Sequence, residues 1–97
     1  MNYDDKDAWL LYHGVCSPAH DWSRDKRTLA DCWEQLEEPH WLIWMLKAAD
    51  YPNRMVLLME LGRRVREKGI TCNQGRCDEL RKLVGANPFE ASRKEKQ

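Results

Sequence analysis

Pro39-His40-Trp41-Leu42-Ile43-Trp44-Met45-Leu46 is the stretch on which the fold turns. Trp41 to Leu46 are all apolar, in a chain whose mean hydropathy is −0.80. So apolar a segment either centres a core or docks a partner. Its flanks favour a core, because patterned helical segments precede and follow it in sequence. Trp41 and Trp44 are therefore expected inside, with Trp33 and a gap at Gly62 as packing mates. On that reading Trp44→Ala costs about 3–5 kcal/mol.

Outward from this run the chain reads as helices and short breaks. Pro39 suits the first turn of a helix, where its missing N–H costs nothing, and that helix runs from His40 to Ala49. Upstream, Leu29, Cys32, Trp33 and Leu36 recur at helical spacing, and Thr28 with Asp31 approximates a capping box. Residues 14–27 read as a long loop with room for one short turn and with Trp22 as an anchor. Residues 4–13 form a first helix that opens on carboxylates and is stopped by Gly14.

Downstream, residues 53–68 predict a helix ended by Gly69. Met55, Leu58, Met59, Gly62 and Val65 would be its buried stripe, and Glu60, Arg63, Arg64 and Glu67 its outer face. Gly62 costs about 1 kcal/mol against Ala, which suggests close approach of a neighbouring helix. Residues 70–77 read as a loop and 78–84 as a short last helix with Leu80, Leu83 and Val84 inward. The expectation is all-α: a single small domain over 1–85, of four to five short helices around a Trp-rich core. Residues 86–97 would be a polar, flexible tail.

Composition narrows the function classes. Ninety-seven residues make one domain, with enough chain for one core. No apolar run approaches the ~20 residues of a membrane span. The acidic start MNYDDKD lacks the pattern of a signal peptide, so a cytoplasmic location is expected, with reduced thiols at Cys16, Cys32, Cys72 and Cys77. Residues 1–50 hold ten carboxylates and five Lys/Arg; residues 51–97 hold six and eleven. A net −5 thus faces a net +5, giving an acidic half and a basic half. A zero overall balance argues against a dedicated nucleic-acid binder.

Few residues are spaced for chemistry. His13-x2-Cys16-x3-His20, with Cys72 and Cys77 as further ligands, has residue types that suit zinc. The spacing is too loose for a knuckle, so no metal site and no cofactor is assigned. Cys16 lies near two His, yet no nucleophile signature surrounds it. No Gly-rich phosphate loop is present. Asp4-Asp5, Glu37-Glu38 and Asp78-Glu79 each sit where a helix begins, which accounts for them. The basic segment Arg63-Arg64-x-Arg66-x-Lys68 suits phosphates or an acidic partner, but it lacks stacking aromatics beside it.

The segment from Thr28-Leu-Ala-Asp-Cys-Trp-Glu through Pro-His-Trp-Leu-Ile-Trp-Met-Leu46 resembles a small helical module of prophage proteins and of proteins labelled immunity proteins. Its pattern is an aromatic near a Cys, then Asp-Trp-Leu-Leu-Trp-Leu. Cys32, Trp33, Trp41, Leu42, Ile43, Trp44 and Leu46 fall on it. Here the Cys precedes the aromatic, and His40 replaces the Asp. About a fifth of the chain is covered, and the resemblance implies a phage or mobile-element origin.

The expected function is that of a non-enzymatic, protein-binding inhibitor, such as an anti-CRISPR, other anti-defence or immunity-type protein. It would cover a functional surface of a larger partner, a nuclease or toxin. An acidic patch of Asp4, Asp5, Asp7, Asp21, Asp25, Glu34, Glu37 and Glu38 would steer it to a basic groove. Candidate contact residues are Asp21, Trp22, Asp25, Glu34, Glu37, Glu38, Arg63, Arg64 and Arg66. The alternatives are a DNA-binding regulator that uses residues 63–68, or a zinc-stabilised interaction domain. A homodimer is compatible with each.

Overall fold

A computed structural model describes residues 5–96, with side chains through Arg93. The described residues form six α-helices: α1 (Lys6–Tyr12), α2 (Ser17–Ser23), α3 (Leu29–Gln35), α4 (Pro39–Ala48), α5 (Arg54–Lys68) and α6 (Asn73–Val84). A 3-10 segment, Glu90–Lys96, follows. The all-α expectation holds, with six helices in place of four to five. The loop expected over 14–27 contains α2, opened by Pro18 in its first turn. The last helix begins at Asn73 instead of 78. Cys72 is its N-cap, and the Cys72 Sγ accepts the Gly75 N–H at 3.3 Å. A Cβ at Gly75 would lie 2.8 Å from Ile70 Cγ2, so a glycine that reads as a loop signal is required by packing.

Of the described residues, 5–35 and 86–96 make one compact unit, and Leu36–Gly85 makes another. This division does not follow the boundary expected between a 1–85 domain and a free tail. In the first unit, Trp9, Leu10, Leu29, Ala30, Cys32, Trp33 and Phe89 are buried. Phe89 lies edge-on to Trp9, with ring centroids 5.5 Å apart, and 6.0 Å from the Trp33 ring. Offset and edge-on aromatic pairs of this kind add to the stabilisation from burial alone.

The expected polar tail is therefore a packed strap over residues 86–93. The Ser92 Oγ accepts the Ala30 N–H at 3.1 Å. The Asn87 amide donates to the Ala30 carbonyl at 3.1 Å. At the same helix start, Thr28 Oγ1 accepts the Asp31 N–H at 3.1 Å, the cap read from sequence. Donors that α3 would otherwise leave orphaned in its first turn are met in this way. Arg93 closes the strap with Asp31 at 3.2 Å, Glu34 at 2.6 Å and Glu90 at 2.7 Å. One buried aromatic outweighs the polar composition from which the tail was read.

In the second unit α6 packs on both α4 and α5. Pro39, Leu42, Met45 and Leu46 line one buried face of α4. Trp41 and Trp44 lie on its flank and are half-buried, so they are not the centre of the core. His40 and Lys47 form an exposed edge. Spacing explains this: positions 39, 42, 45 and 46 share an arc of about 120° on a 3.6-residue helix, whereas 41 lies about 40° outside that arc and 44 about 100° outside it.

The α5 stripe is also corrected. Leu61 is buried, while Leu57, Leu58 and Val65 are half-buried. Met55, Val56 and Met59 are exposed. The inward face is rotated by about 100°, one residue step, from the Met-rich stripe expected. Two apolar stripes compete on this helix, and the Leu/Val stripe carries Arg64 and Lys68 toward Glu79 on α6.

Phe89→Ala is expected to cost about 3–5 kcal/mol in urea unfolding; a loose tail would predict no loss.

Candidate functional site

The residues proposed from sequence fall into separate groups. Glu34 is committed to structure: it accepts from Arg93 and from the Asn87 amide, and Arg93 holds its carboxyl below the ordinary range. Glu37 and Glu38 lie at the start of α4, with Glu38 Oε1 3.3 Å from His40 Nδ1. Asp4 lies outside the described residues. Asp21 is exposed and pairs with Arg24 at 3.2 Å.

The first unit treats its two signs of charge differently at two places. The Lys6 side chain is 9% exposed, against 59% for Asp7 beside it. Its ammonium donates to the Ser23 carbonyl. The Lys26 side chain is 14% exposed, against 81% for Asp25. Its ammonium sits 4.4 Å over the Trp22 ring, a cation–π contact, and 2.8 Å from Asp25. The Lys26 ammonium, as hydrogen-bond donor and then as nearby charge, lowers the Asp25 carboxyl pKa. Lys stems pack inward while the carboxylates stay in water, so the surface here presents Asp7 and Asp25 as the exposed halves of ion pairs, with Arg24 and Arg27 also exposed beside Asp25. On α1, Leu11 and Tyr12 are exposed next to this surface in sequence. Sequence reasoning did not single out that pair. Trp22, the expected anchor, is half-buried under Lys26.

The basic segment of α5 is engaged by carboxylates. Arg63 holds Glu60 through two donors, and Glu67 at 2.6 Å. Arg64 reaches Glu60 and Glu79, each at 3.2 Å, and Lys68 reaches Glu79 at 2.9 Å. The Glu79 side chain is 4% exposed, so its charge depends on these two cations. Hydrogen bonds from Arg63 and then Arg64 push the Glu60 carboxyl down to about 2. Lys68 lowers that of Glu79. Arg66 is exposed and has no ion pair among the described residues.

The metal-like residues are not drawn together. The His13 ring packs against Trp9 at 4.5 Å and Tyr12 at 5.0 Å. Cys16 is the exposed N-cap of α2, and His20 Nε2 lies 3.4 Å from Asp7. Among the described residues no three His, Cys, Asp or Glu side chains could hold a metal ion. Burial pushes the Cys32 and Cys77 thiols up to about 11, which leaves both protonated at neutral pH. No disulfide joins the four cysteines. No described helix is long and apolar enough to cross a membrane.

No protein-family model, curated protein or solved structure matches the chain.

Glu34, Glu60 and Glu79 all have carboxyl pKa values lowered by folding. Their stabilisation is complete above the unfolded carboxylate range and is lost as pH falls through the folded values, because the unfolded chain binds more protons there. Thermal melts from about pH 7 to pH 2 should show stability falling below the ordinary carboxylate range. Glu79→Gln should be less stable at neutral pH and have a shallower acid limb.

Proposed function

We propose that this protein is a small, non-enzymatic, protein-binding inhibitor of the anti-defence or immunity kind carried by phages and mobile elements. It acts by steric occlusion of a larger protein with a basic functional surface, such as the nucleic-acid groove of a nuclease or toxin. The observation that carries the reading is the sorting of charge in the first unit. Lys6 and Lys26 are withdrawn while Asp7 and Asp25 are presented to solvent.

Carboxylates held this way steer encounter with a cationic surface and set its orientation. Tyr12 and Leu11 then supply the apolar contact that slows dissociation. Tyr is a frequent anchor because it covers much area for little lost side-chain freedom. Direct DNA binding through α5 is the less supported reading. Arg63 and Arg64 would have to leave Glu60, Glu67 and Glu79 to reach phosphates, and Glu79 would lose a partner while buried.

Occlusion is tested by competition. A nuclease or toxin recovered with the protein from host lysate should release a fluorescent nucleic acid as the protein is titrated in. Retention of the nucleic acid at saturating protein removes occlusion for that pair. With such a partner, an Asp7→Lys/Asp25→Lys variant should associate at least ~10-fold more slowly at low salt. That difference should shrink at high salt. Tyr12→Ala should mainly speed dissociation, since affinity changes within one interface lie mostly in the off-rate.

A further inference from the structure

The exposed face of α5 poses a separate question. Met55, Met59, Gly62 and Arg66 follow at i, i+4, i+7 and i+11, which places them within about 60° of arc on one stripe. Met55 and Met59 are both 71% exposed. Gly62 lies between them and Arg66, in mid-helix, where glycine costs about 1 kcal/mol relative to Ala. Nothing in this chain requires it: a Cβ there would meet only Arg66 Nη1, at 3.7 Å. The close neighbour expected from sequence is absent among the described residues. At the start of the same helix a hollow of about 510 Å³ is lined by Asp50, Pro52, Met55 and Val56, among others. The Asp50 side chain is almost fully exposed there; it accepts from Arg54 at 3.2 Å and keeps acceptor capacity toward solvent.

We propose that this stripe joins two copies of the chain, their α5 helices antiparallel about a two-fold axis near Glu60 and Leu61. Such an interface must carry both halves of each contact on one surface, and α5 does so together with the turn before it. Met59 of each copy fills the gap at Gly62 of the other. Arg66 of each comes opposite Met55 and reaches the hollow beside Asp50. A flexible thioether suits a shallow notch, and an antiparallel pair opposes the two helix dipoles favourably. Arg63, one step round the helix, stays with Glu60 and Glu67. A parallel pair would set Arg66 against Arg66 and leave the Asp50 hollow empty. An unlike partner would explain the exposed methionines but not why α5 holds knob, notch and cation in this order, with an acceptor in the turn just before it. The surface is distinct from the α1–α2 surface of the inhibitor reading and does not depend on it.

Sedimentation equilibrium of the full chain from about 1 µM to about 1 mM covers the range of weak pairing. The expected result is a shift from monomer to dimer mass. Gly62→Gln should raise the dissociation constant at least ~10-fold while its melting temperature rises, because Gln favours helix and a Cβ at position 62 meets only the tip of the Arg66 side chain at ordinary contact distance. Met59→Glu should weaken pairing with helicity unchanged. In a double-mutant cycle, Asp50→Asn and Arg66→Gln should each weaken the dimer, and the double variant no more than either alone. A monomer over the whole range overturns the proposal. So does a dimer indifferent to Gly62→Gln and Met59→Glu, or strict additivity of Asp50→Asn and Arg66→Gln. If Met59→Glu instead abolishes capture of the larger partner by a protein that is always monomeric, the face belongs to that partner.

Discussion

Phe89, set between Trp9 and Trp33, is the contact on which the first unit depends. It joins residues from both ends of the chain to the middle one. Neither short helix that it touches would hold without such packing, since helices of seven residues are marginal in isolation. Once the ring is seated, Asn87, Ser92 and Arg93 fall beside the first turn of α3 and satisfy its backbone and its carboxylates. The polar contacts add orientation, and burial of the ring supplies the drive.

The second unit is built on a different balance. Its helices are longer, and its apolar residues cover α6 on two sides. Glu79 is the exceptional group, a carboxylate inside that interface with Arg64 and Lys68 closing over it. Such a pair fixes the register of α5 against α6 more than it adds net stability. It also fixes which face of α5 points out. Turning Arg64 and Lys68 inward leaves Met55 and Met59 in water, and with them the gap at Gly62. Arg64 and Lys68, which look from sequence like part of a basic binding segment, are thus ties to α6.

Much of the fold was legible in local signals. Thr28 capped α3, Pro39 opened α4, and Gly69 ended α5 in a left-handed conformation, as their chemistry requires. Cys32 was a core residue. Errors came where two local readings were equally good. Residues 73–77 carry a glycine and polar side chains, yet they open α6 under the Cys72 cap, and close packing against Ile70 accounts for Gly75. The Trp run was read by its hydrophobicity, yet the arc that turned inward was Leu42, Met45 and Leu46. Of the candidate site, Asp21 and Asp25 are exposed, whereas Glu34, Arg63 and Arg64 are held by partners distant in sequence or a helical turn away.

By itself the sequence determined that this protein is helical, where most of its helices begin and end, and that its charge is divided between two halves. Those are properties of neighbours within a few residues, set by capping, spacing and composition. Tertiary structure decided which stripe of α5 is buried, that residues 86–93 are a strap, and which charges face water. Each of these rests on a competition between near-equal local options. It is settled by contacts across many residues, such as Asn87 with Ala30, that no local pattern encodes.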